Sequence, residues 1–362
     1  MIFANGIRKI HGAFLAAVVL VWFIGMAIPC TQAQAGEKHR IAWSHYTGWE
    51  PWAYADDSGI LKKWAAKYGI EIEMVLVNDY VESINLYTAG QFDGCAMTNM
   101  DGLTIPAVGG IDSSVIIVGD FSNGNDGIVL RNGATVKDIK GRKVMLVELS
   151  VSHYLLARAL EQNGLTERDI TTVNTSDADI AGLFLSSKDK AASVVTWNPL
   201  LMQVRNAKGA TLVFDSSMIP GEIMDLMVVR TNAPEKLKKA LTGAWYETMA
   251  VMSGHTKAGK EAVQFMAKTA GGTEAEFRAQ LRTTRMFYQA AEAVEFTKGP
   301  ELKKTMEYVR SFSFDHGLFG QGASSKDYVG IAFPDGSTMG DPKNVKLRFD
   351  ATFMEMAAKN GL

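Results

Sequence analysis

The sequence predicts an α/β protein of two Rossmann-like lobes around an interlobe cleft, with a helical C-terminal part. Three observations carry that expectation. From residue 40 to residue 230, short apolar runs alternate with helix-patterned stretches, the order of parallel strands joined by crossover helices. Two segments rhyme, 89-AGQFDGCAMTNMDG-102 and 185-LSSKDKAASVVTWNP-199; each is a polar turn, a short apolar strand, then a Thr followed by Asn or Trp. Two similar lobes, each offering a strand end to a shared cleft, produce such a rhyme. From about Pro234 the alternation stops, and residues 234–310 read mostly as helix.

Residues 40–43 are the first strand candidate. Residues 51–69 read as a helix, with Pro51 suited to a first helical position and Gly69 to the position past the end. EIEMVLV at 71–77 alternates polar and apolar residues as a strand does. A helix follows over 79–89, then strands over 94–97, 115–118, 127–130 and 143–147. The helix over 152–162 ends near Gly164. Next come a strand at 171–173, a helix near 178–186, and strands at 192–196 and 211–214. Residues 226–229 are apolar throughout, as in a central strand buried on both faces. The tail from Ser311, rich in Gly, Phe and Asp, is expected to wrap the surface. These elements place lobe one at 37–124 plus 226–362 and lobe two at 125–225. The crossings fall near 122–126 and 221–225, and the glycine-rich 122-SNGNDG-127 suits a hinge.

Residues 1–35 read as a signal peptide for export. Arg8, Lys9 and His11 precede an uninterrupted apolar run over 13–28; Pro29 breaks it, and Ala33-Gln34-Ala35 is a small-residue cleavage signal. The run is short against the about 20 residues of a membrane span, although an uncleaved anchor is the alternative. Cys30 invites a lipoprotein reading that Pro29, directly before it, fits poorly. The 362-residue chain has a net charge of −2, which leaves no footprint for nucleic acid. Beyond the signal peptide only Cys95 remains, so no intrachain disulfide is expected, and a core of this size is stable without one. The expectation is a periplasmic monomer.

Catalytic signatures are missing: there is no GxSxG, HExxH, CxxC or GxxxxGK[ST]. Cys95 lies in a short apolar strand, as a buried structural thiol does. His45 and His153 could meet in a cleft, but neither has a sequence neighbour at metal-ligand spacing. Neither a metal nor a cofactor is expected, and the chain does not read as an enzyme.

In open α/β sheets, ligands bind at the carboxyl ends of strands. The loops expected there are 44-SHYTGWEPW-52, 78-NDY-80, 97-MTNMDG-102, 148-ELSVSHY-154, 197-WNP-199 and 222-EIMD-225. They hold Glu50, Asp79, Asp101, Glu148, Glu222 and Asp225, and no Lys or Arg. Such loops repel an anion, which Arg or Lys usually assists in holding. They suit a small cation, since a buried charge must be paired and aromatic rings add cation–π attraction of roughly 0.5–2 kcal/mol each. The candidate ligand contacts are Tyr46, Trp49, Glu50, Asp79, Thr98, Asn99, Asp101, Glu148, His153, Trp197 and Asp225. Glu50 beside Pro51 equally complements a helix dipole. Trp52 and Trp197 are each placed for either cleft or core.

The segments 84-INLYTAGQFDGCAMTN-99, 141-GRKVMLVELSVSHYLLARALEQNGL-165 and 192-ASVVTWNPL-200 carry a resemblance. With them the chain resembles periplasmic substrate-binding proteins of ATP-driven importers, in the nitrate/sulfonate/taurine and thiamine-precursor superfamily. More narrowly it is similar to the urea-type branch associated with urea carboxylase, an enzyme often regarded as guanidine-using. The resemblance implies a bilobal periplasmic-binding-protein type II fold that closes on its ligand. It also implies delivery to the permease and ATPase subunits of an ABC importer at the inner membrane. Guanidine or urea is the implied ligand. A nitrate, sulfonate or taurine-type anion and a pyrimidine thiamine precursor are the alternatives within the same fold. An exported amidohydrolase using His45 or His153 is the alternative outside it.

Overall fold

The computed structural model describes residues 37–362; the expected signal peptide, its cleavage signal and Cys30 lie outside the described residues. The chain first lays down β1 (Glu37–Trp43), β2 (Ile70–Leu76), β3 (Gly94–Thr98) and β4 (Ser113–Ser122). It then crosses into a second sheet of β5 (Asp126–Arg131), β6 (Lys143–Leu146), β7 (Thr171–Asn174), β8 (Ser193–Trp197) and β9 (Ala210–Asp215). It returns with β10 (Met224–Arg230), β11 (Thr284–Met286), β12 (Gly330–Ala332), β13 (Thr338–Met339) and β14 (Val345–Phe349). The larger sheet has the order β13-β12-β14-β4-β10-β3-β1-β2, with β11 paired to β4; the smaller has the order β7-β6-β8-β5-β9. This is an α/β architecture of two lobes, one built on each sheet.

The central strands explain themselves by composition. GCAMT of β3 is buried at every position, and MDLMVVR of β10 at all but the last. Continuous apolar runs of this kind belong to strands covered on both faces. Cys95 is a free, buried thiol of β3.

Both sheets are mixed rather than parallel. β10 runs antiparallel to β3 and β4, and β5 runs antiparallel to β8 and β9. The reason is the route of the chain. A strand entered from the cleft side must run against the strands that end there. Alternation of strand and helix along the chain does not reveal that reversal.

Two other expectations change. The helix over 51–69 is two helices, Glu50–Asp57 and Ile60–Lys67, broken at Gly59, whose φ of 78° is left-handed. The tail is not a surface wrap. β14 joins β4 in parallel and carries β12 and β13 to the edge of the sheet. Leu347 and Phe349 are buried there, and Phe349 stacks on Phe333 at 5.9 Å. Among the described residues no helix is long and apolar enough to cross a membrane.

Because the tail completes the sheet, Phe349→Ala is expected to cost about 3–5 kcal/mol, as for other buried Phe truncations. Denaturant unfolding of the variant checks this. A change near zero would return the tail to a surface role.

Candidate functional site

The strand ends meet in a cavity. Asp225, near the start of β10, lies opposite Thr98 on β3 and opposite Asp120 on β4. Three neighbouring strands thus hold Thr98, Asp225 and Asp120 in one row. Like charges directly opposite in a sheet are destabilising, so the Asp225–Asp120 pair opposes folding when both are ionised. β10 shifts register against β4 just after Asp225, a local irregularity of the kind that re-aims side chains near sites. The other lobe contributes Asp126 at the start of β5, opposite Trp197 at the end of β8. Between them lies a small cavity. Asp126, Asp225, Thr98 and four rings line it, with Val151 and Ile223 beside them.

The rings form a connected arc. Tyr46 and Trp49 have centroids 5.1 Å apart, Trp49 and Tyr80 5.4 Å, and Tyr80 and Trp197 5.6 Å. The turn before the first helix delivers two of them, because Trp49 and Glu50 both donate backbone N–H bonds to the Tyr46 carbonyl. Gly48 has a specific task in that turn. A Cβ there would lie 2.4 Å from Asp120 Oδ2, so only glycine lets the turn pack on the carboxylate.

The acids are buried with few partners. Both oxygens of Asp120, Oδ2 of Asp126 and Oδ2 of Asp225 have no hydrogen-bond partner among the described residues, and neither do the Tyr46 hydroxyl and the Trp49 indole N–H. Burial pushes Asp120 and Asp126 up to about 7. Asp225 rises well above the carboxylate range, through burial and then the charge of Asp120. Asp101 rises to about 6 by burial, although the Tyr80 and Thr98 hydroxyls donate to it at 2.7 and 2.8 Å and pull the other way. Among the described residues no Lys or Arg lines this cavity.

The positions singled out in the sequence divide in two. Tyr46, Trp49, Thr98, Trp197 and Asp225 line the cavity; the other six do not. Glu50 is fully buried and bonds His45 Nδ1 at 2.7 Å, at the start of its helix. Asp79 caps the helix Tyr80–Thr88 by accepting from Glu82 N–H, and it accepts from Ser176 across the cleft at 2.8 Å. Asn99 ties the crossing together, donating to the Glu222 carbonyl and accepting from Met224 N–H. Asp101 stands behind Tyr80 and Thr98 as their acceptor. Glu148 is half-buried, and its backbone N–H bonds Asn174. The loops are also less uniformly acidic than they read, because Arg158 and Tyr154 both donate to Glu222, at 2.9 and 2.6 Å. Sequence reasoning missed Asp120, Asp126 and Tyr80. Asp120 lay two residues past the assigned end of its strand, and Asp126 was read only as part of a crossing.

His153 joins a different constellation. Its Nε2 lies 2.8 Å from Glu167 Oε1, and His316 Nε2 lies 2.9 Å from the same oxygen. The three residues have metal-ligand chemistry, with donor atoms within 4.8 Å of one another. The tautomers oppose a metal. His153 Nδ1 accepts from Leu149 N–H, so its Nε2 carries the proton and faces Glu167 as a donor. His316 Nδ1 must donate to the Phe312 carbonyl, so a hydrogen bond from its Nε2 requires the doubly protonated ring. The trio is a hydrogen-bonded ion pair joining the smaller lobe to the end of the helix Pro300–Asp315. His45 pairs with Glu50 instead, so the two histidines do not form a catalytic pair.

The fold is the two-lobed α/β architecture of periplasmic binding proteins, with a small cavity where the two sheets meet. The chain belongs to the NMT1/THI5 like family, which matches residues 59–244. It is similar to the alkanesulfonate-binding protein SsuA from Xanthomonas axonopodis pv. citri bound to MOPS, with 15% identity and a TM-score of 0.64 over 79% of this chain and 96% of that one. The periplasmic aliphatic sulphonate binding protein SsuA from Escherichia coli is 18% identical, with a TM-score of 0.64 over 79% and 95%. The periplasmic nitrate-binding protein NrtA from Synechocystis PCC 6803 is 13% identical, with a TM-score of 0.53 over 89% and 98%. Identities this low carry the fold and not the ligand. No curated protein matches the chain in sequence.

Two pH dependences follow. The buried aspartates hold protons more tightly folded than unfolded. Their contribution favours folding below the ordinary carboxylate range and is lost as pH rises through about 7. Asp225→Asn is therefore expected to raise ligand-free stability at pH 8 by about 1–3 kcal/mol. Melting curves across pH check it, and a destabilised variant at pH 8 would contradict the assignment. Glu167 is pulled down to about 2, first by His153 and then by His316, and His316 is raised by Glu167. Their pairing contributes fully between about pH 4.5 and 6.5, fading above as His316 deprotonates and below as Glu167 protonates. The exposure of Glu167 keeps the effect at or below about 1 kcal/mol. His316→Ala should show its largest melting deficit in that window, and a deficit independent of pH would remove the ion pair.

Proposed function

We propose that the protein is the extracytoplasmic solute-binding component of an ABC importer, capturing a small nitrogenous solute, guanidine or urea. The carrying observation is the cavity at the facing strand ends, bordered by Asp126 from one lobe and Asp225 from the other with no Lys or Arg between. A planar cation there bridges the two lobes and supplies the missing donors to both acids. The ring arc offers faces for cation–π attraction. The cavity is small, which limits the solute to a few non-hydrogen atoms.

The helix starts beside the cavity argue the same way. A helix N-terminus is a natural anion seat. Here the protein's own carboxylates occupy it: Asp79 caps the helix Tyr80–Thr88, and Asp177 accepts from Tyr80 N–H at 3.3 Å. The sulfonate- and nitrate-binding neighbours therefore lend their fold to this reading and not their ligands.

Capture requires closure. We assign lobe one to 37–124 plus 226–362 and lobe two to 125–225, with hinges at the two crossings. Gly124 and Gly221 have φ of 109° and 79° there, conformations that suit a hinge. Trp197 Nε1 donates to the His45 carbonyl at 3.3 Å, and Ser176 donates to Asp79, so the cleft walls touch in the structure described. Export to the periplasm and docking on a permease complete the proposal.

Thermal shift with guanidinium, urea, nitrate and taurine tests it. At about 1,000 times Kd, guanidinium or urea should add about 4 kcal/mol of stability. Stabilisation by nitrate or taurine alone would overturn the nitrogenous reading.

A further inference from the structure

We propose that the site continues past Asp225 into a second compartment, and that its solute is a compact cation with a second donor-bearing end, an N-amino or amidino guanidinium. The inference rests on the cationic reading above. A second small cavity adjoins the first and shares Trp49 and Asp225 with it. The three acids thus alternate with two spaces. Asp126 and Asp225 border the first, and Asp225 and Asp120 border the second. A lone guanidinium between Asp126 and Asp225 leaves Asp120 with no donor beyond a proton shared with Asp225.

The walls of the second compartment define what enters it. Trp52 and Trp245, with centroids 4.9 Å apart, line it together with Trp49. The indole N–H groups of Trp49 and Trp245 are buried, at 4% and 2% exposure, and without a partner among the described residues. Both oxygens of fully buried Asp120 are in the same condition. An alkyl end there would leave the carboxylate desolvated and unpaired, which is costly. A nitrogen-bearing end supplies donors to Asp120 and lies against the indole faces. Backbone is thinned to make this room. A Cβ on Gly119, which lines the compartment, would lie 2.8 Å from the Trp245 ring, and one on Gly48 would collide with Asp120.

Calorimetric titration of the exported protein with guanidinium, methylguanidinium, aminoguanidine, biguanide and urea tests the proposal. Aminoguanidine or biguanide should bind about tenfold or more tightly than guanidinium, the worth of one charge-assisted hydrogen bond. Methylguanidinium, which is longer but adds no donor, should gain nothing. Asp120→Asn should cost aminoguanidine and biguanide about tenfold or more in affinity beyond whatever it costs guanidinium, so that the advantage disappears. The wild-type series decides the matter even if the variant does not fold. Guanidinium binding as tightly as both extended probes would overturn the second compartment and leave the cationic site standing. An equal loss of guanidinium and the extended probes in Asp120→Asn would overturn it as well. If none of the cations and not urea binds, the second compartment falls together with the nitrogenous reading it rests on.

Discussion

Everything around the cleft answers to a pair of buried aspartates held opposite each other on adjacent strands. Asp120 and Asp225 sit in register on β4 and β10, with Asp126 facing them from the other sheet. A sheet that places like charges side by side in a dry site gives up stability. The neighbourhood shows what that arrangement demands. Gly48 yields its side chain so that the turn can pack on Asp120. Tyr46 and the indoles of Trp49 and Trp245 remain as buried polar groups without protein partners. Among the described residues no Lys or Arg lines the cavity beside this acid cluster.

The two sheets supply this cluster in halves. Neither lobe alone presents more than part of it, since Asp126 and Trp197 belong to the five-stranded sheet and Asp225, Thr98 and Asp120 to the nine-stranded one. A ligand that touches both halves favours the closed state by the difference in its affinity for closed and open forms. The aromatic arc crosses the same boundary, with Tyr80 from one lobe against Trp197 from the other. The second layer is distinct in its electrostatics. Glu50 with His45, Glu222 with Arg158, and Glu167 with His153 and His316 are acids given partners by the protein itself.

Much of this was legible in the chain and some was not, for identifiable reasons. The central strands announce themselves as apolar runs, and Thr98 ends β3 where open sheets bind ligands, while Asp225 reaches the same level from the start of antiparallel β10. Asp101 and Asp79 lie at the same kind of position yet serve as acceptors for neighbouring hydroxyls and backbone N–H groups. Sequence cannot tell a carboxylate aimed at a cavity from one aimed at its own helix start, because both choices place the acid beside an apolar run. Asp120 escaped notice because Gly119 and Asp120 look like a strand's end, whereas β4 continues to Ser122. The tail misled for a related reason: Gly, Asp and Ser around β12 and β13 read as loop, and only pairing with β14 makes those residues strands.

The sequence by itself determined the α/β character, the two-lobed order of elements and the aromatic, cation-poor loops at the strand ends. These are properties of local pattern and composition, which periodicity records directly. Tertiary structure alone decided which acids face one another, because that depends on strand direction and register. β10 returns antiparallel to β3 and β4, and this single reversal sets Asp225 between Thr98 and Asp120. Pairing across a sheet joins residues more than a hundred positions apart through backbone hydrogen bonds, and no local pattern in the chain encodes the partner.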